Sequence, residues 1–484
     1  MTIQHRILAI CCCTLLTLAV LTGCDDGSSH VNGNNAGRPN IVLITADDLG
    51  MHLSNYGDPY ARTPRLAALA AESVQFNRAY VTQASCSPSR SSIFTGYYPH
   101  QTGQYGLGSM TNQRYGYRMR GEFRTLPQYL KAAGYRTGVI GKVHVASDNP
   151  DAFPFDHENT DTLRTLDVER VAREAGQFLD ANAGTPMFLM INYFDPHRHP
   201  QLPTSFHDQY KGQPPTVQTP QDVHTFAFMG FDPPQIRADV AGYYNSIARL
   251  DTGVGLVIDE LKARELWDDT LFIFISDHGA PFTRAKTGNY EASVRVPLLV
   301  SWPAANARKG VQTPALVSSI DLLPTVLAAA GLASHSALPG FDLAPLLRGD
   351  VKTLPRTHIF TQFTAHSNAH YYPRRAVHGE RFKLIHNLQH WRPNPLKQLA
   401  DDAYSLSRKP TVSATTRALY DTWLHPPEYE LYDLHNDPQE FVNLADVPEH
   451  AATRAALVEV LNQWRARSGD TATAHTANPS TTLE

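Results

Sequence analysis

Four short apolar runs along the chain each end in a cluster of polar residues. The runs read NIVLIT, YRTGVI, MFLMINY and LFIFI, and they cover residues 40–45, 135–140, 187–193 and 271–275. Their length and their content of Ile, Val, Leu and Phe predict buried strands. Helix-like segments lie between them, over residues 63–73, 126–133, 167–181 and 249–264. This alternation predicts an α/β fold with a large, mostly parallel sheet between layers of helices.

The pattern changes after about residue 347. Shorter strand-like runs lie at 358–364, 381–386 and 429–433, and a closing helix is predicted over 449–467. We therefore predict a main domain over residues 39–350, which carries the candidate chemistry, and a smaller C-terminal α+β domain over 351–467. The Thr- and Ala-rich segment 468–484 is expected to be a disordered tail.

The N-terminal apolar run, residues 7–21, is too short and too weakly flanked to predict a spanning helix. It predicts a signal peptide over residues 1–23. The small residue before Cys24 is typical of a bacterial lipoprotein cleavage site, which frees Cys24 for lipidation. The alternative is an ordinary signal peptide with an incidental Cys24. The polar segment 24–38 predicts a flexible tether, and the whole pattern indicates a periplasmic or surface protein that is lipid-anchored to a bacterial membrane.

Composition narrows the function classes. With 484 residues and 42% hydrophobic content, the chain can build a core without disulfide bonds. Its formal net charge is -4 and it contains no long basic run, so we expect no nucleic-acid partner.

Acidic residues follow two of the predicted strands. Asp47 and Asp48 come after the first strand, and Asp277 and His278 come after the fourth. Because the carboxyl ends of parallel strands meet at one edge of a sheet, these groups are expected to lie together. Three hard oxygen donors favour Ca²⁺ or Mg²⁺, and His278 is either a fourth ligand or faces the substrate. The alternative is structural: Asp47 caps a helix and Asp277 stabilises a turn.

Basic residues follow the other two strands. Lys142 and His144 come after the second, and His197 comes after the third within Asp195-Pro196-His197. At a shared sheet edge these groups are suited to neutralising an anion and transferring protons. The alternative is a polar loop without a function.

Cys86 lies alone in the Ser-rich stretch QASCSPSRSSIFTG, residues 83–96. The other four cysteines are at positions 11, 12, 13 and 24, inside the predicted leader or at its cleavage site. A helix is predicted to begin near Ser89, which places Cys86 near a helix N-terminus, and Arg90 adds a fixed positive charge. This setting favours a nucleophile that acts on an anion over a buried inert thiol.

Cys86-Ser87-Pro88-Ser89-Arg90 resembles the C-x-P-x-R signature of type I sulfatases, and the acidic clusters occur in the order expected for that family. The stretch ELYDLHNDPQEFVNLA, residues 430–445, resembles the family's C-terminal domain. Within the family, PHQTGQYGL (99–107), YRTGVIGKVHV (135–145) and DPHR (195–198) are most similar to heparan N-sulfatase (sulfamidase). Two residues depart from that branch: His278 stands where Asn is typical, and Lys286 where Arg is typical.

The resemblance implies an alkaline-phosphatase-like sandwich and the oxidation of Cys86 to formylglycine by a formylglycine-generating or anaerobic sulfatase-maturating enzyme. It implies Ca²⁺, with Mg²⁺ less favoured, bound by Asp47, Asp48, Asp277, His278 and the modified residue 86. It further implies neutralisation of sulfate oxygens by Arg90, Lys142 and Lys286, protonation of the leaving group by His197, and acceptance of a proton by His144.

The implied substrate is a sulfated saccharide, with N-sulfoglucosamine of heparan sulfate as the first hypothesis. The two departures leave an O-sulfated polysaccharide open. A phosphonate or phosphate ester hydrolase on the same scaffold and a catalytically inactive glycan-binding lipoprotein are further alternatives. Arg374 and Arg375 are candidates for substrate contacts from the smaller domain.

Overall fold

The computed structural model describes residues 37–108, 116–198, 217–395 and 401–478. The predicted leader (1–23), its Cys24 and nearly all of the predicted tether (24–38) lie outside these residues and stay predictions. Within the described ranges, no helix combines the length and the apolar character that crossing a membrane requires.

The strands in the described residues are β1 (Asn40–Ala46), β2 (Val74–Tyr80), β3 (Arg136–Gly141), β4 (His157–Asn159), β5 (Met187–Asn192), β6 (Thr270–Ser276), β7 (Arg295–Ser301), β8 (Val311–Ser318), β9 (Ile359–Phe363), β10 (Arg374–His378), β11 (Phe382–Asn387) and β12 (Tyr429–Asp433). The α-helices in the same residues are α1 (Pro64–Ala71), α2 (Cys86–Thr95), α3 (Pro99–Thr102), α4 (Leu126–Ala132), α5 (Val168–Ala181), α6 (Pro234–Ala263), α7 (Glu291–Val294), α8 (Leu322–Ala329), α9 (Ala344–Arg348), α10 (Ala403–Ser407), α11 (Ala414–Leu424) and α12 (Ala451–Ser468).

The large sheet has eight strands in the order β4-β3-β5-β1-β6-β7-β2-β8. The strands β4, β3, β5, β1 and β6 are mutually parallel, whereas β7 runs antiparallel to both β6 and β2. The predicted α/β fold with a mostly parallel sheet is therefore confirmed, and β7 is the exception to the parallel arrangement.

Helices cover both faces of this sheet. Val42 and Ile44 of β1 point into a core shared with α5 and α6, while Ile41 and Leu43 point into a second core shared with α2 and α8. Successive residues of a strand face opposite sides, so a strand buried on both faces is apolar throughout. This is why the run NIVLIT was readable as a buried strand.

Other elements were less visible in the sequence. The strands β2 (VQFNRAY) and β8 (VQTPALVS) were not predicted, because polar residues and Pro314 interrupt their apolar pattern. A proline is tolerated in β8 because that strand lies at the edge of the sheet. Helix α6 begins at Pro234, well before the predicted start at residue 249.

A second sheet of four antiparallel strands, in the order β12-β11-β10-β9, lies in the C-terminal part of the chain. Its core contains Val377, Leu384 and Leu431, packed against Leu457 and Trp464 of α12. This agrees with the α+β pattern predicted for this part of the chain. The domain boundary at residues 350/351 remains a prediction, because the described residues from 37 onward form one compact unit.

The segment after α12 is packed against the second sheet as far as residue 478. Asp470 is buried, and its carboxylate accepts hydrogen bonds from Arg375 Nε at 2.7 Å and Arg375 Nη2 at 2.8 Å. Tyr371 donates a hydrogen bond to the Thr476 carbonyl at 3.2 Å. The predicted disorder from residue 468 is therefore wrong for residues 468–478, because a buried arginine supplies a partner that composition does not reveal.

The ion pair between Arg375 and Asp470 predicts a large stability effect. We expect Asp470→Ala to lower the free energy of unfolding by about 3–5 kcal/mol, because it leaves a buried guanidinium without its partner. Urea-induced unfolding, followed by tryptophan fluorescence, measures this change. As a control, Asp350→Ala removes the partner of Arg348 in an exposed pair and should cost at most about 1 kcal/mol. Equal effects of the two substitutions would contradict the prediction.

Candidate active site

The predicted site residues meet at the carboxyl edge of the large sheet. Asp47 and Asp48 follow β1, and Asp277 and His278 follow β6, the neighbouring strand. Lys142 follows β3 and His197 lies beyond β5, on the other side of β1. The parallel pairing of these four strands is what brings residues that are distant in sequence to one place.

Cys86 is the first residue of α2, three residues earlier than the predicted start of this helix. Ser85 before it is extended, with φ -156°, and Pro88 lies in the first turn, where a missing N–H costs no helical hydrogen bond. The prediction that Cys86 lies at a helix N-terminus is confirmed. The thiol is buried, and its Sγ lies 3.6 Å from Asp47 Oδ1, 3.4 Å from His278 Nε2 and 3.6 Å from Lys286 Nζ.

The acidic residues form one buried cluster. The candidate ligand atoms of Asp47, Cys86, Asp277 and His278 lie within 4.8 Å of one another, and so do those of Asp47, Asp48, Cys86 and His197. Carboxylates that are fully removed from water need cations as partners. The donor set is suited to a hard metal ion.

His278 presents one defined nitrogen to this cluster. Its Nδ1 lies 3.0 Å from the Gly279 carbonyl oxygen, which can only accept, so Nδ1 carries the proton in the neutral ring. Its Nε2 lies 3.2 Å from Asp48 Oδ1 and 3.7 Å from Asp277 Oδ1. A ring nitrogen fixed in this way by a carbonyl on the opposite side is the usual arrangement of a metal-binding histidine.

Two residues of the site have a left-handed backbone. Asp48 has φ 69° and His144 has φ 50°, a conformation that residues with a side chain rarely adopt. Asp48 is held by its N–H, which donates to Asp277 Oδ1 at 3.0 Å, and by Tyr243, whose hydroxyl donates to the Asp48 carbonyl at 2.9 Å. Strained backbone of this kind is typical of functional sites.

Two lysines lie against the carboxylates from opposite sides. Lys142 Nζ lies 2.5 Å from Asp47 Oδ2, and Lys286 Nζ lies 2.8 Å from Asp48 Oδ1. Gly141 allows the first contact: with φ 93° it approaches β5 so closely that an added Cβ would lie 2.1 Å from the Asn192 oxygen.

These charges shift the pKa values around the thiol. Burial alone would raise the pKa of Asp47, but Lys142 and other nearby cations hold it below its usual value. Burial would also raise the pKa of Cys86, but Lys142, Lys286 and His278 lower it well below its usual value. Position 86 is therefore an electropositive position within an acidic cluster, a setting in which an anionic group is stabilised.

Arg90 lies beneath the cluster. Its side chain is completely buried and donates to Asp277 Oδ2 from Nε at 3.0 Å and to the Lys142 carbonyl from Nη1 at 2.9 Å. Because the guanidinium is inaccessible, the expected contact of Arg90 with a sulfate group is corrected: the structure assigns it to holding the carboxylates.

The histidines complete the site. His197 Nδ1 lies 2.6 Å from the Arg198 carbonyl oxygen, so Nε2 is the nitrogen that faces the site, 3.8 Å from Asp48 Oδ2. His144 hydrogen-bonds the Cys86 thiol, and burial, followed by the charge of Lys142, lowers its pKa. Neutral His144 can accept a proton beside position 86.

Comparison with known proteins decides the family. The profile of the Sulfatase family matches residues 39–332, more than half of the chain. The chain belongs to the sulfatase family. A second profile, described as the C-terminal domain of N-sulphoglucosamine sulphohydrolase, matches residues 285–408.

Individual relatives agree with this assignment. This sulfatase is 33% identical to human N-sulphoglucosamine sulphohydrolase, over 90% of the chain and 91% of the relative. It is 27% identical to an ulvan-active sulfatase from Formosa agariphila, over 90% of the chain and 81% of the relative. Its fold matches that of BT4656, solved in complex with its substrate D-glucosamine-2-N,6-O-disulfate, with a TM-score of 0.65 at 21% identity, covering 91% and 100% of the two chains.

A cavity of about 180 Å³ lies beside the acidic cluster of this sulfatase. Its lining includes three residues of the predicted site and three others: Asp48, His197, Lys286, Phe282, His366 and Trp423. His366 was missed in the sequence. It comes from the segment after β9, and its Nδ1 lies 3.0 Å from Ser85 Oγ, beside the thiol. One histidine among 22 carries no signal without the fold.

One further pairing was also missed in the sequence. Asp195 is buried in a bidentate pair with Arg249, 2.7 Å from each nitrogen, and this pair holds the loop that carries His197.

The two candidates from the smaller sheet do not line the cavity: Arg375 is buried against Asp470, and Arg374 is buried beside the Tyr372 ring. Their expected contacts with the substrate are corrected.

The position of Arg90 predicts a stability effect. We expect Arg90→Lys to lower the free energy of unfolding by about 3 kcal/mol, because an ammonium cannot donate to Asp277 and to the Lys142 carbonyl at the same time. Chemical denaturation of the purified variant measures the change. Arg118→Lys, in an exposed pair with Asp148, is the matched control and should change stability by less than about 1 kcal/mol. An Arg90→Lys protein as stable as the control would contradict this role.

Proposed function

We propose that this sulfatase removes the sulfate group of N-sulfoglucosamine in a sulfated glycan, through a formylglycine at position 86 and a bound Ca²⁺. The observation that carries the proposal is the surroundings of Cys86 Sγ: a carboxylate, a histidine nitrogen and an ammonium lie within 3.6 Å of it. The match of residues 285–408 to a C-terminal domain described by this substrate supports the choice of sugar.

The residues fit a divalent cation. Burial and the charge of Asp47 raise the pKa of Asp277 to about 7, and the carboxylates of Asp277 and Asp48 raise that of His278 to about 9 against the effect of burial. Asp47, Asp48, Asp277, His278 and residue 86 would hold the ion, and oxygen donors favour Ca²⁺. When bound, it would supply a positive charge that polarises the nucleophile and the sulfate group.

Position 86 is suited to formylglycine. The thiol is the one cysteine among the described residues, and it lies at a helix N-terminus where backbone N–H groups and the helix dipole favour an anion. The hydrated aldehyde would supply the nucleophilic oxygen.

The two lysines bind and orient the sulfate group. Lys142 and Lys286 approach position 86 from the β3 and β6 sides of the sheet edge, and each carries a fixed charge toward it. Such preorganised cations stabilise negative charge that develops on the oxygens in the transition state. Arg90 acts beneath them by fixing Asp277.

Proton transfer is assigned to the histidines. His197 lies at the cavity with Nε2 toward the site, where it gives a proton to the departing nitrogen or oxygen of the sugar. His144, kept neutral by burial and Lys142, takes a proton from the group at position 86. The two rings thus divide the roles of general acid and general base.

An O-sulfated polysaccharide is the second candidate substrate. It is favoured by the ulvan-active relative, and by His278 and Lys286, which depart from the pattern of the sulfamidase branch.

The proposal is tested by offering N-sulfoglucosamine, O-sulfated sugars and an aryl phosphonate ester side by side. Ion chromatography measures the sulfate released from the sugars, and absorbance measures the phenol released from the phosphonate ester. We expect the highest kcat/KM for N-sulfoglucosamine. A higher kcat/KM for an O-sulfated sugar would favour the second candidate substrate. A higher kcat/KM for the phosphonate ester would overturn both candidates.

The role of His197 predicts a dependence on the leaving group. We expect His197→Ala to lower kcat for N-sulfoglucosamine by about 10²–10⁴-fold, because the departing amine needs a proton. For an aryl sulfate with an acidic phenol, which leaves without protonation, the same substitution should lower kcat by less than about tenfold. Steady-state kinetics on both substrates measure this contrast, and an equal loss on both would contradict the assignment.

The acidic cluster predicts a response to calcium that is independent of turnover. After chelation and removal of the chelator, Ca²⁺ at a hundredfold excess over its Kd should stabilise the protein by about 2.7 kcal/mol, seen as a rise in Tm, and Mg²⁺ should stabilise it less. Asp47→Asn should abolish the rise, whereas Asp148→Asn, at an exposed position, should retain it. An unchanged Tm of the wild-type protein on addition of Ca²⁺ would remove the metal assignment.

A further inference from the structure

The loop between β6 and α7 carries Lys286 in an unusual backbone conformation. Arg284 has φ 71° and Thr287 has φ 70°, so residues on both sides of Lys286 are left-handed although neither is glycine. The Lys286 N–H donates to the Ala280 carbonyl at 3.0 Å, and the Thr287 N–H donates to the Ala84 carbonyl at 2.9 Å. A loop with two such residues keeps its shape only where its surroundings hold it.

Arg284 is the side chain that ties this loop to the C-terminal part of the chain. It is 2% exposed, and it donates from Nε to the Phe228 carbonyl at 3.0 Å. Its Nη2 donates to the carbonyls of Gln439 at 3.0 Å and Glu440 at 2.9 Å. A guanidinium can satisfy three carbonyls in different directions because its donors are fixed in a plane.

Aromatic rings enclose the same guanidinium. Its carbon lies 4.6 Å from the centre of the Tyr290 ring and 5.4 Å from that of the Phe441 ring. Tyr290 is itself anchored, since its hydroxyl donates to Glu430 at 2.8 Å. The guanidinium of Arg284 is therefore held by aromatic rings as well as by backbone carbonyls.

Glu440 also holds the far end of the loop. Its carboxylate accepts a hydrogen bond from the Glu291 N–H at 2.5 Å and pairs with Lys383 Nζ of β11 at 2.6 Å. Glu440 thus holds the loop at two places. Its backbone carbonyl accepts a hydrogen bond from Arg284, and its carboxylate accepts one from the Glu291 N–H. This gives a physical role to the motif at residues 430–445, which the chemistry of the site does not use.

We propose that Arg284 is a positioning residue for Lys286, and that Gln439 and Glu440 of the C-terminal segment complete the active site through it. The ammonium of Lys286 lies 3.6 Å from Cys86 Sγ at the end of a flexible side chain, so its place depends on where the loop holds its Cα. None of the contacts of Arg284 described above is with the acidic cluster. Arg284 therefore acts on Lys286 through the loop. The inference rests on the proposed function in one respect, namely that Lys286 binds the sulfate group.

A double-mutant cycle tests the inference. We expect Arg284→Gln to lower kcat/KM for N-sulfoglucosamine by about 10-fold to 100-fold, because a displacement of about 1 Å of a group that contacts the substrate costs this much. In a Lys286→Ala background the same substitution should cost less than about threefold, since the group it positions is gone. Arg284→Lys, which keeps the charge and part of the donors, should recover part of the loss. Losses that multiply in the double variant would overturn the proposal and leave Arg284 a purely structural residue.

Two measurements do not depend on turnover and separate this proposal from the proposed function. The Kd for inorganic sulfate, by calorimetry, should rise in Arg284→Gln, whereas the same substitution made in the Lys286→Ala background should raise it no further. Hydrogen exchange should speed up in residues 281–291 of Arg284→Gln, and should be unchanged there in Arg308→Gln, which removes a half-buried guanidinium that donates to the Leu346 carbonyl far along the chain. If no tested substrate is hydrolysed but both changes occur, the positioning role stands and the proposed function fails. If the loop exchanges as in the wild type and the affinity for sulfate is unchanged, the positioning role fails.

Discussion

The balance of buried charge at the carboxyl edge of the large sheet is the constraint on which the site depends. Asp47, Asp48 and Asp277 are all removed from solvent, which is unfavourable for carboxylates unless cations lie close by. Arg90, Lys142 and Lys286 set three positive charges against these three carboxylates. Burial and the charge of Asp47 raise the pKa of Asp277, and the carboxylates of Asp277 and Asp48 raise that of His278 against the effect of burial. The thiol of Cys86 lies where these opposing charges meet.

The fold explains how this arrangement is built. Strands β1 and β6 pair in parallel, so their ends deliver the acidic residues side by side, and β3 and β5 deliver Lys142 and His197 to the same edge. The C-terminal part contributes differently. It provides no ligand to the acidic cluster within the described residues, but it packs against the loop of Lys286 through Arg284, Tyr290 and Glu291. The large sheet thus places the acidic cluster, and the C-terminal part of the chain holds the loop that carries Lys286.

Much of the site was predictable because its residues follow strands with a clear apolar pattern. NIVLIT before Asp47 and LFIFI before Asp277 indicate buried parallel strands, and parallel strands bring their ends together. The burial of Arg90 was not predictable, since the sequence places it one helical turn after Cys86, where it could equally well contact a substrate. The pairs Arg375–Asp470 and Arg249–Asp195 join residues 95 and 54 positions apart, and His366 reaches the site from the second sheet. Such contacts depend on tertiary packing, which local patterns do not encode.

The most direct test of the account is to measure the aldehyde content at position 86 together with the release of sulfate. Preparations made with different amounts of a formylglycine-generating partner are digested, and mass spectrometry gives the fraction of the peptide across Cys86 that carries the aldehyde. The account predicts that sulfate release from N-sulfoglucosamine rises in proportion to this fraction and vanishes in Cys86→Ala. Activity that is independent of the aldehyde fraction, or a thiol that stays unmodified in an active preparation, would contradict it.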